Sequence, residues 1–122
     1  MPSSAFEETF EKVTRLAATF QANEARFLSP EYQEAEARRD FIDKFFIALG
    51  WDVRNEAGLP HDQRDVIVER SDKGLHPDYS FRIGGTTKFF VEAKAPCEPL
   101  DAAKHILQAK GYAWRSHLAR DV

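Results

Sequence analysis

The stretch that most constrains this chain is PDYSFRIGGTTKFFVEAK, from Pro77 to Lys94. Tyr79, Phe81 and Ile83 alternate with Asp78, Ser80 and Arg82. Phe89, Val91 and Ala93 alternate with Phe90, Glu92 and Lys94. A period of two gives each segment an apolar face and a polar face, the pattern of a half-buried strand. Between them, Gly84-Gly85-Thr86-Thr87 holds the glycines that a tight connection needs. The spacing predicts a β-hairpin, and a hairpin dictates which residues meet.

Folded about Gly85, the hairpin sets residues whose numbers sum to about 170 opposite each other, so that Asp78 faces Glu92. Lys94 lies two residues beyond Glu92 and projects from the same face. Carboxylates directly opposite each other are unfavourable unless something neutralises them. A divalent cation does so, and carboxylate oxygens are ligands that Mg²⁺ prefers. A surface hairpin with an ion pair between Glu92 and Lys94 accounts for the same residues, so the hairpin alone leaves the choice open.

A hydrophobic content of 43% with ten Phe and two Trp in 122 residues supports one folded core. No apolar run approaches the length of a membrane span. The opening MPSSAFEETFEK is acidic and polar, unlike a signal peptide. Cys97 is the single cysteine, which excludes an intramolecular disulfide and a zinc cluster. Together these features point to the cytoplasm and to no membrane partner. The net charge of −3 does not mark a nucleic-acid binder. Charge is unevenly placed, however. Beyond Leu100, Lys104, Lys110, Arg115 and Arg120 face only Asp101 and Asp121, a bias that a solvated helix face would also show.

In chain order, Ser3 or Ser4 caps a first helix with Glu7, Glu8 and Glu11 near its start. Phe6, Phe10, Val13, Leu16, Ala17 and Phe20 recur at helical spacing, and the helix is expected to run to about Leu28. A second helix is expected from Tyr32 to Leu49, with Phe41, Ile42, Phe45, Phe46 and Leu49 as its buried stripe and Gly50 ending it. Traced backwards, the stripe reaches Arg38 and then Glu34, whereas Glu36 is rotated away. Trp51-Asp52-Val53 reads as a short strand start, residues 55–63 as a loop, and Asp65 to Glu69 as a strand. A last helix spans about Leu100 to Leu118, where Gln108 and Tyr112 share a face.

The order helix, short strand, strand, Pro77-Asp78 strand, Glu92-Ala93-Lys94 strand, helix resembles the PD-(D/E)XK nuclease superfamily. Gln108 and Tyr112 are similar to the Gln-x-x-x-Tyr pair of its RecB-like branch. The run EAEARRDFIDKFFIALGWDV, with PDYSFR and KFFVEAK, resembles the N-terminal nuclease domain of type IIG restriction-modification enzymes and related type I restriction subunits. The resemblance covers residues 31–118, and residues 1–30 form an N-terminal helix outside it.

The resemblance implies an α/β fold, a restriction-endonuclease-like core with a mixed β-sheet flanked by α-helices. It also implies a final strand after the Gln108–Tyr112 helix, where this sequence stops. Residues 31–122 are therefore expected to be a nuclease core excised from a longer enzyme, open to self-association at the uncovered sheet edge. Asp78, Glu92, Lys94 and Glu34 are the implied catalytic residues. Asp78, Glu92 and the Ala93 carbonyl would hold Mg²⁺, for which Mn²⁺ substitutes. Gln108 and Tyr112 would support the site, and Lys104, Lys110 and Arg115 would contact the DNA backbone. Double-stranded DNA is the implied substrate, with methyltransferase and target-recognition parts on the same polypeptide. Two other readings use the same residues: a catalytically silent nuclease-like domain that binds DNA or docks its neighbours, and a stand-alone repair nuclease.

Overall fold

The structure, a computed structural model, describes residues 5–69 and 77–99. These fall into two compact units, one of residues 5–51 with 93–98 and one of residues 52–69 with 77–92 and Pro99.

The first unit is helical. Helix α1 spans Ala5–Ala22, with Glu7 and Glu8 in its first turn complementing the helix dipole. It ends earlier than its periodicity suggests. Asn23, at φ −131°, leaves the helix, and its amide donates back to the Thr19 carbonyl. A short α2, Glu24–Phe27, follows. The next helix begins at Glu34 rather than Tyr32, because Gln33 and Glu36 form a capping box there. Helix α3 (Glu34–Ala37) runs into a π-helical turn, Arg38–Ile42, and then into α4, Asp43–Ala48. Gly50, at φ 104°, closes α4: its N–H donates to Ile47 and the Trp51 N–H to Phe46, the paired bonds of a Schellman ending.

The expected stripe is met only in part. Ala37, before the π turn, and Ala48, after it, are the buried positions, while Phe45 and Leu49 are exposed. Phe41 lies on the inner side, edge-on to Phe20, Phe27 and Tyr32. This aromatic cluster joins α1, α2 and the π turn. Further along α1, Phe6 and Phe10 stack on each other and stay exposed, and Thr9 donates to the Ala48 carbonyl.

The second unit holds a three-stranded antiparallel sheet in the order β1-β2-β3, formed by Val66–Val68, Tyr79–Ile83 and Thr86–Val91. Among the described residues no strand runs parallel to another. Pairing along β1 reaches past its ends, since Arg82 donates to Asp65 and Glu69 to Asp78. Val66, Tyr79 and Phe81 are the fully buried side chains of one sheet face. The expected strand at Trp51-Asp52-Val53 is a turn. The Asp52 carboxylate accepts the N–H groups of Glu56 and Ala57, which bends the chain out of an extended path. The last helix falls outside the described residues.

Candidate functional site

The turn of the β2–β3 hairpin is the two-residue Gly84-Gly85, both with positive φ (59° and 81°). That is the primed turn whose twist matches flanking strands, and it suits glycine at both positions. Ile83 pairs with Thr86 and Arg82 with Thr87. The register then shifts. Phe81 pairs with Phe89, Ser80 with Phe90 and Tyr79 with Val91, leaving Lys88 as an extra residue in β3. Such a residue is a β-bulge, which bends its strand and increases its twist.

The bulge changes the phase of everything beyond it. Continued by one residue, the Tyr79–Val91 register sets Asp78 opposite Glu92. By strand alternation both would then share the face that carries Ser80 and Phe90, opposite the buried face of Tyr79 and Phe81. Asp78 is 8% exposed, and its carbonyl accepts the Glu69 N–H at 2.9 Å. The Glu92 Oε2 is also shielded from solvent. Glu69, opposite Asp78 on the other side, brings a third acidic residue to the same cross-strand row. The sequence signal for it was the alternation of residues 65–69, which gives Glu69 the parity of Ile67. Among the described residues, no three His, Cys, Asp or Glu side chains are grouped so as to hold an ion by themselves.

The other expected residues divide between the helical unit and the residues not described. Glu34 opens α3, with its carboxylate 4.0 Å from the Arg38 guanidinium. Glu36, by contrast, turns back to accept the Gln33 N–H in the capping box. Ala93 is buried and Lys94 half-buried, and both belong to the helical unit. Lys104, Gln108, Lys110, Tyr112 and Arg115 lie outside the described residues. Cys97 is exposed.

The helical unit also carries a polar constellation that periodicity did not reveal. Tyr32 is 7% exposed, and its hydroxyl donates to Asp40 Oδ2 at 2.7 Å. Burial, and then the Asp40 carboxylate, pushes the Tyr32 hydroxyl pKa up. The same hydrogen bond holds the Asp40 carboxyl below its ordinary value, and Arg39, 3.3 Å away, adds to that effect. Tyr32, Asp40, Arg26, Glu31 and Arg39 line a cavity of about 410 Å³. The arrangement pins the π turn to the segment before α3.

The chain is a homologue of one segment of a restriction and methyltransferase enzyme. The relative is the type II restriction enzyme and methyltransferase RM.Eco57I of Escherichia coli, 34% identical over 115 residues. The match takes in 88% of this chain and 12% of that enzyme, so the chain spans a small part of the relative's length. No family model matches the chain. No solved structure matches it. Among the described residues, no helix is long and apolar enough to cross a membrane.

Proposed function

We propose that this chain is a PD-(D/E)XK nuclease domain of a type IIG restriction-modification enzyme, hydrolysing phosphodiester bonds in double-stranded DNA with Mg²⁺ or Mn²⁺. The observation that supports this reading is the hairpin register, which ends at the Tyr79–Val91 pair and, continued by one residue, would set Asp78 opposite Glu92. The 34% identity to a restriction enzyme and methyltransferase supports the setting.

Two hard carboxylates fit the proposed ion. Mg²⁺ is commonly bound through one or two carboxylates and completes its shell with water and substrate phosphate. A site of this kind needs no third acid from the protein. When bound, the ion lowers the pKa of its water and polarises the phosphate. Asp78 and Glu92 would hold it, with the Ala93 carbonyl as a further oxygen. Lys94 orients the attacking water, assists its deprotonation and offsets charge that develops on the phosphate. Glu34 would supply a further carboxylate to the site. Gln108 and Tyr112 arrange the site, and Lys104, Lys110 and Arg115 hold the DNA backbone without reading sequence. Methyltransferase and target-recognition parts on the same cytoplasmic polypeptide complete the enzyme.

The competing reading is a catalytically silent domain of the same fold that binds DNA or docks its neighbours. Lys94→Ala in the full-length enzyme separates the two. The variant is expected to lose cleavage while keeping DNA binding and methylation. Cleavage at the wild-type rate would overturn the assignment of Lys94.

A further inference from the structure

We propose that Lys88 is a positioning residue for the Asp78–Glu92 pair, because its charge holds the bulge that brings the two carboxylates into one row. The functional half of this inference rests on the metal site proposed above.

Without the bulge, the Gly84-Gly85 turn would carry its register straight on. The pairs would be Phe81 with Lys88, Ser80 with Phe89, Tyr79 with Phe90, and Asp78 with Val91. Glu92 would fall opposite Pro77, on the other face from Asp78, because a slip of one residue turns every side chain over. The turn alone therefore dismantles the row, and the bulge restores it.

The sequence leaves only a few residues to decide between these registers. Phe89-Phe90 offers an aromatic side chain to the buried face in either one. Lys88 does not. In the straight register its ammonium would enter the buried face opposite Phe81, which is fully buried. A charge buried without a partner is costly, so the strand bulges and leaves Lys88 exposed. Glu92 acts in the same sense, because the slip would turn its carboxylate towards the buried face as well. The charge at position 88 thus selects the register, and the bulge absorbs the one residue in excess.

Three variants of the full chain test this: Lys88→Val, Lys88→Arg and deletion of Lys88. Cross-strand nuclear Overhauser contacts report the register, and calorimetric titration with Mn²⁺ reports the site. Lys88→Val removes the charge and suits the buried face. It is expected to replace Tyr79–Val91 contacts with Tyr79–Phe90 contacts and to weaken Mn²⁺ binding by about tenfold or more. Lys88→Arg keeps the charge and is expected to keep both the register and the affinity. Deletion removes the excess residue itself, so Tyr79 should still meet Val91 and Mn²⁺ should bind as in the wild type. Tyr79–Val91 contacts that persist in Lys88→Val, or vanish in the deletion, would overturn the proposal. The deletion decides even where Lys88→Val fails to fold. A moved register with unchanged Mn²⁺ binding would uphold the role of Lys88 in pairing and overturn the metal site instead.

Discussion

Phe81 and Phe89 stack nearly parallel across the hairpin, with ring centroids 4.6 Å apart and an interplanar angle of 7°. They are the first pair beyond the bulge, so this contact is where the shifted register is made firm. Phe81 is fully buried and Phe89 is 37% exposed. Phe81→Ala should cost about 3 kcal/mol or more, the usual range for deleting a buried aromatic. Phe89→Ala should cost less, and a double-mutant cycle should return a coupling of about 1 kcal/mol. Chemical denaturation of the two single variants and the double variant measures both. Additive losses would show that the stack contributes nothing beyond area.

The turn gives a second expectation. Both glycines have positive φ, and neither has anything closer than 3.7 Å to an added Cβ, so backbone strain rather than crowding decides the effect. Gly84→Val should destabilise by about 1–2 kcal/mol, the cost of a left-handed conformation for such a residue. Gly84→Asn should be much milder, because asparagine tolerates that region. Melting temperatures of the pair would show the contrast.

The Tyr32–Asp40 bond makes stability depend on pH at both ends. Asp40 has its carboxyl pKa lowered from 3.8, so its contribution is present above that value and fades as acid protonates the folded protein. The Tyr32 hydroxyl pKa is raised from 10.0, so its contribution holds below that value and fades as the pH climbs past it. Tyr32→Phe should cost about 1 kcal/mol near neutrality, the net worth of one hydrogen bond. The gap to wild type should narrow below the ordinary carboxylate range. Denaturation across pH would test it, and a gap independent of pH would mean that packing alone accounts for the loss.

Mn²⁺ binding tests the carboxylate pair directly. The isolated chain should bind Mn²⁺ weakly, since the phosphate that completes the shell is absent. Asp78→Ala should remove that binding in calorimetric titration. Equal heats from wild type and variant would reject Asp78 as a ligand.

How much of this was legible beforehand follows from where one-residue adjustments fall. Folding the hairpin about Gly85 gave the correct partners for Tyr79, Ser80 and Phe81 but the wrong ones next to the turn. A two-residue turn plus a bulge has the same sum as the longer turn the reading assumed. Alternation cannot distinguish them, because Phe89-Phe90 fits either phase. The Asp65 to Glu69 strand was readable from Val66 and Val68, and its backbone pairing spans that range. Trp51-Asp52-Val53 misled because the decisive event is a side-chain bond from Asp52 to the backbone, which apolar spacing does not register. The stripe of the second helix holds at Phe41 but not at Phe45 and Leu49; the small Ala37 and Ala48 take the buried places, and apolar spacing does not rank a small residue above a large one. Tyr32 was read as a helix start, although it is a buried anchor for Asp40.

The π turn bears on how relatives of this chain should be aligned. An α-helix absorbs one inserted residue as a single wide turn without disturbing the segments before and after it. Between Glu34 and the Gly50 ending, residues 38–42 are therefore where a one-residue gap is structurally silent. A relative one residue shorter there would keep Glu34 and the Gly50 ending in equivalent places, its helix rewound to regular α geometry. The same gap placed among residues 43–48 would instead shift the α4 face that carries Ala48. A search for distant relatives that penalises gaps evenly along this helix would misplace either its first acid or its last turn.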